Sequence, residues 1–63
     1  QQQVNADGQR GGINRPDLQY TINGVRYYVE VQSPGPNARV LAQLHEFRIR
    51  LNDPNGRVII VYR

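Results

Sequence analysis

Asp17 and Glu30 are the two residues of this chain best placed to do chemistry together. Between them runs LQYTINGVRYYV, which folds back on itself if Asn23-Gly24 forms a two-residue turn, since both residues tolerate positive φ. The residues beside such a turn pair, so Ile22 faces Val25, Tyr20 faces Tyr27 and Leu18 faces Val29. One step further out, Asp17 faces Glu30. Directly opposed side chains have Cβ atoms about 4.5–5.5 Å apart. Two carboxylates that close repel unless a cation joins them. A divalent ion at that place would stabilise charge on a phosphoryl oxygen and activate a bound water. The competing reading is a solvated hairpin end where Arg15 pairs with one carboxylate, or a bulge near Pro16 that breaks the register.

Composition narrows the ion. The chain has 63 residues, no cysteine and a single histidine, His45. Thiolate zinc sites, disulfides, cysteine nucleophiles and multi-histidine centres are excluded, leaving oxygen ligands and a hard ion such as Mg2+ or Mn2+. Net charge is +3, and all eight basic residues are arginine. That balance fits a nucleic-acid partner as well as it fits ordinary solubility charge. No apolar run reaches the roughly 20 residues of a membrane span. The N-terminal residues lack the pattern of a secretory signal. With no initiator methionine, the chain reads as a piece of something longer.

The elements that must hold the pair follow from periodicity. Residues 1–14 are polar and glycine-rich, and are expected to form a flexible lead-in or linker; residues 15–63 form the domain. Segments 17–22 and 25–32 alternate as the strands of the hairpin. Its apolar face carries the Leu18, Tyr20 and Ile22 pairs, and this face is expected in the core. The other face carries Thr21, Arg26, Gln19, Tyr28, Asp17, Glu30 and Gln32. Residues 33–37 (SPGPN) break the strand, and Asn37 is a candidate helix cap. From Ala38 to Leu51, Val40, Leu44, Phe47 and Leu51 recur at helical spacing and predict a buried stripe. Asn52 to Gly56 stops the helix. The apolar run 57–62 predicts a strand covered on both faces, parallel to its neighbour across the helix. The fold class is α/β (α+β), a β-hairpin followed by a helix and a further strand.

Pro16-Asp17, followed thirteen residues later by Glu30-Val31-Gln32, resembles the motif of the PD-(D/E)XK nuclease superfamily. The strand, strand, helix, strand order matches part of that family's restriction-endonuclease-like core. Residues 15–63 are also similar to C-terminal toxin domains of Rhs-type and other bacterial polymorphic toxins. The resemblance implies that Asp17 and Glu30 ligate Mg2+ or Mn2+, with the Val31 carbonyl as a further ligand. Gln32 would orient the attacking water or contact the scissile phosphate. It implies an endonuclease, with DNA ahead of RNA as substrate. The domain would sit on a parent toxin scaffold, be secreted by the producing bacterium, act in the target-cell cytoplasm and be countered by a cognate immunity protein. Two departures stand out: the last motif position is Gln32 rather than lysine, and no helix and strand of the usual kind precede Asp17.

Other polar residues offer contacts. Arg26 and Tyr28 lie on the polar hairpin face, where they are candidates for touching phosphate and base. Arg39 and Gln43 share a helical stripe with Glu46 and Arg50; they either approach nucleic acid or belong to a solvated face with Glu46 and Arg50 as an i,i+4 pair. His45 reads as a boundary residue more readily than as a catalytic base. The alternative function is a non-catalytic module binding nucleic acid or protein, and a toxin of different chemistry on the same scaffold is a third reading.

Overall fold

A computed structural model describes residues 2–10 and 12–63. The chain forms β1 (Leu18–Ile22), β2 (Val25–Gln32), α1 (Ala38–Asn52) and β3 (Arg57–Tyr62). The sheet order is β1-β2-β3, with β1 antiparallel and β3 parallel to the central β2. This is the α+β arrangement expected. Asn23 (φ 51°) and Gly24 (φ 79°) make the turn, and Ile22 pairs Val25, Tyr20 pairs Tyr27 and Leu18 pairs Val29 in the expected register.

The sheet turns the opposite face to the helix from the one expected. Tyr28 is fully buried (0% exposed) and forms the core with Ala42 and Ile49 of α1. The Tyr28 hydroxyl donates to Asp53 Oδ2 at 2.8 Å, just beyond the helix end. Alternation therefore places Gln19, Tyr28 and Glu30 under the helix and leaves Leu18, Ile22, Val31, Ile59 and Val61 exposed on the back. The stacked rings of Tyr20 and Tyr27, 5.3 Å apart, lie on that back face rather than in the core. β3 is likewise covered on one side only: Val58 and Ile60 are half-buried, while Ile59 and Val61 are open.

The helix is rotated in the same sense. Val40, Leu44, Phe47 (60% exposed) and Leu51 (65% exposed) point outward, and the inward side carries Ala42, His45, Glu46 and Ile49. Residues two apart on a helix lie about 200° around its axis, so a stripe phased on Leu44 is nearly opposite one phased on Ala42. Alanine at the contact lets the helix axis approach the Tyr28 ring. At the other end, Asn37 (φ −107°, ψ 14°) makes no side-chain cap; its carbonyl accepts from Leu41 N–H at 2.9 Å.

The lead-in does not behave as a spacer. Gln3 is fully buried, and its amide donates to Ile49 O at 3.1 Å near the helix end. Val4 N–H donates to Gln19 Oε1, and Val4 O accepts from Arg26 Nε at 2.7 Å. Asn14 Nδ2 donates to Gln3 Oε1 and to Arg48 O, both at 3.0 Å. Polar side chains satisfy one another here, as buried amides must, and an apolarity count passes over them.

Gly56 is fixed by close approach. A Cβ there would stand 2.8 Å from Tyr28 Cε2 and 2.9 Å from Asp53 Oδ2. Gly56→Ala is expected to destabilise the fold by about 1–3 kcal/mol through overpacking, lowering Tm by several degrees or more in a circular-dichroism melt. An unchanged Tm would show that the Tyr28–Asp53 contact yields without cost.

Candidate metal centre

Asp17 lies just before β1, and the ladder ends at Leu18 with Val29, so the expected Asp17–Glu30 pair is not part of the register. Pro16 is buried, and Asp17 N–H donates at 3.0 Å to the carbonyl of Val29, the residue already opposite Leu18, so the regular alternation of the ladder is broken at Asp17. The Asp17 side chain then takes over: Oδ2 accepts from Val31 N–H at 2.7 Å. A carboxylate thus occupies the place that the next strand carbonyl would fill, and the two strands part beyond it. The N–H and C=O of one strand residue point to the same edge, so the Val31 carbonyl projects toward the Asp17 side.

Glu30 leaves β2 on the helix face, with its side chain 13% exposed. Burial pushes its carboxyl above the ordinary glutamate value of 4.5, and the charge of Asp17 adds to the rise; His45 opposes it. His45 Nδ1 lies 3.4 Å from Glu30 Oε2, yet it is buried without a hydrogen bond of good geometry. Neither Asp17 nor Glu30 has an arginine within 4 Å among the described residues, so the Arg15 pairing considered above is not formed.

The candidate donors Asp17, Glu30 and the Val31 carbonyl are of the type a hard cation takes. Two carboxylates and one carbonyl are all oxygen, and their like charges are the kind of strain a divalent ion relieves. Among the described residues no three His, Cys, Asp or Glu side chains gather in a ready-made cage. An ion here would complete its shell with water and phosphate, as magnesium does.

Beside Glu30 lies a hollow of about 260 Å³ walled by Arg15, His45 and Arg48 as well as Glu30 itself, with Asn14 and the apolar Ile13 and Ile49. The sequence offered Arg15 as a partner for one of the carboxylates, but gave no place near them to His45 or Arg48. The available signal was the spacing of Ala42, His45 and Ile49, one helical stripe with a polar residue in the middle.

The other expected contacts fall elsewhere. Tyr28 has no exposed surface and cannot stack on a base. Arg26 is committed to Val4 O and to Thr21 Oγ1, with its guanidinium 6.0 Å from the Tyr28 ring centre. Gln43 lines a separate shallow hollow with Glu46, Phe47 and Arg50, and Arg39 borders neither. Arg50 and Glu46 form the i,i+4 pair at 3.3 Å. Gln32 Nε2 donates to the neighbouring Ser33 O at 3.3 Å.

The raised value at Glu30 has a definite sign. Below the ordinary glutamate range both folded and unfolded chains are protonated there. As pH rises through that range the unfolded chain ionises first, so folding stability falls until folded Glu30 ionises too. Glu30→Gln is therefore expected to be more stable than the parent at pH 7 and equal to it below about pH 4. Denaturant melts across that range check this; a variant less stable at pH 7 would show Glu30 to be compensated within the fold.

No family model, curated protein or solved structure matches the chain. No helix is long and apolar enough to cross a membrane among the described residues.

Proposed function

We propose that this chain is a metal-dependent endonuclease domain, hydrolysing phosphodiesters of DNA in preference to RNA. In this reading it is the C-terminal toxin domain of a secreted bacterial polymorphic toxin that acts in the target-cell cytoplasm. The observation that carries the reading is the hydrogen bond from Val31 N–H to Asp17 Oδ2 at 2.7 Å, which holds one carboxylate at the open end of the hairpin against the residue that follows Glu30. The PD-(D/E)XK resemblance supports it. A parent scaffold and a cognate immunity protein belong to the same proposal.

Each residue has a part. Asp17 is held by Val31 N–H through Oδ2, which leaves Oδ1 as a ligand of fixed direction. Glu30 supplies the second carboxylate from a rigid strand, and the Val31 carbonyl the third oxygen. A Mg2+ or Mn2+ ion held there would supply positive charge against the phosphoryl oxygen and acidify water. Gln32, two residues along the same strand face, would orient that water by hydrogen bonding and cannot supply the charge of a lysine.

Cleavage of plasmid DNA tests the reading. The parent chain is expected to nick DNA with Mg2+ or Mn2+, not in EDTA, and Asp17→Ala is expected to be inactive. The same ions should raise the Tm of the parent and not of Asp17→Ala. Cutting in EDTA, or equal cutting by the variant, overturns the assignment. The bare apolar faces of helix and sheet favour a second reading, a non-catalytic protein-binding module; its mark is partner binding indifferent to EDTA, without cleavage.

A further inference from the structure

We infer that the hollow beside Glu30 is a phosphate subsite in which Arg15 and Arg48 clasp the phosphate of a nucleotide. The inference rests on the nuclease reading for its biological meaning, though not for its geometry. Arg15 comes from the segment entering β1 and Arg48 from α1, and both wall the same hollow. Among the described residues neither guanidinium has a carboxylate within 4 Å or a hydrogen-bond acceptor. Arg50 is paired with Glu46 and Arg26 is bound to Val4 O, while Arg39, Arg57 and Arg63 do not line this hollow.

The placement of the two is built into the fold. Asn14 Nδ2 donates to Arg48 O at 3.0 Å, which ties the residue before Arg15 to the backbone of Arg48 itself. Gln3 N–H donates to Asn14 O at 2.8 Å and Gln3 Oε1 accepts from Asn14, and Gln3 is itself fully buried. Two arginines are thereby brought to one concavity, and neither is paired with the Glu30 carboxylate that lines it too. A planar guanidinium matches phosphate oxygens in pairs, so a phosphate supplies what the arrangement lacks. The volume, about 260 Å³, suits a phosphate with part of its sugar rather than a base pair. Glu30 borders the same space, so a phosphate held there lies next to the carboxylate pair. The negative charge of Glu30 opposes such a ligand, which gives the subsite a second signature.

The test is a titration of the isotope-labelled chain with thymidine 5′-monophosphate in EDTA at low salt, followed by amide NMR, with thymidine as control. The nucleotide should shift Asn14, Arg15, His45 and Arg48, and thymidine should not. Arg15→Gln and Arg48→Gln should each weaken binding by about tenfold, Arg50→Gln should leave it unchanged, and Glu30→Gln should tighten it. Equal shifts with thymidine, shifts centred on Phe47 and Arg50, or full affinity in both arginine variants would overturn the proposal. The parent pattern alone decides the matter if a variant misfolds. Phosphate binding without cleavage by the parent would uphold the subsite and remove the nuclease reading.

Discussion

Glu30→Ala is expected to reduce magnesium-dependent DNA cleavage by about a thousandfold or more. A metal held by two carboxylates loses half its protein charge when one is removed, and the charge stabilisation it gives a phosphoryl group is worth several kcal/mol. Each 1.36 kcal/mol of that is about a factor of ten in rate. What separates this expectation from simple damage is the accompanying stability. Glu30 is half-buried, and burial and the charge of Asp17 both raise its carboxyl, so its removal is expected to relieve the fold at neutral pH. A variant that is inactive and yet melts no lower than the parent identifies a group kept for its chemistry. Plasmid nicking beside a thermal melt reads both. Retention of more than a tenth of the activity would take Glu30 out of the centre.

Tyr28→Ala is expected to leave no folded domain. Removing a buried aromatic side chain costs about 3–5 kcal/mol, and a single core in a chain this short rarely supplies more than that in total. Tyr28→Phe is milder, since it keeps the ring and strips the 2.8 Å donor from Asp53, which is 8% exposed. That loss should cost on the order of 1–3 kcal/mol. The same hydroxyl governs alkaline behaviour. Burial first, and Asp53 second, push Tyr28 up to about 12 from the usual 10.0. The unfolded chain ionises earlier, so this contribution is intact below pH 10 and lost as pH rises toward 12, by roughly 2–3 kcal/mol. Circular dichroism against pH should show the parent losing structure in that window; stability in Tyr28→Phe should fall less steeply there. Parallel curves would show that Tyr28 is not the group responsible.

The hairpin was legible because two independent signals agree. Asn23-Gly24 dictates the turn, and strict alternation dictates the register, so the pairs from Ile22–Val25 out to Leu18–Val29 could be located from text alone, whereas the ladder ends before Asp17. Alternation divides a strand into faces and does not say which face receives the helix. Here the less apolar face won, because Tyr28 is an apolar ring with a hydroxyl that needs a buried partner, and Asp53 supplies it. The helix stripe misled for the same reason. Val40, Leu44 and Phe47 outweigh Ala42 and His45 in any apolarity count, yet the small side chain of Ala42 is what permits close packing. The hollow around Glu30 was out of reach because its walls come from three separate segments, and Asn14 joins two of them through a backbone carbonyl that no residue pattern encodes.

The outward Phe47 and Leu51, together with the bare back of the sheet, give the molecule two greasy sides flanking its polar middle. Large apolar side chains left open together on one face mark a surface that tends to associate. A solvatochromic dye such as ANS should brighten on the native fold, without any acid or denaturant, and the signal should fall as the protein concentration rises and molecules shield one another. Colloidal behaviour, more than the strength of the core, would then decide how concentrated a solution of this chain can be made.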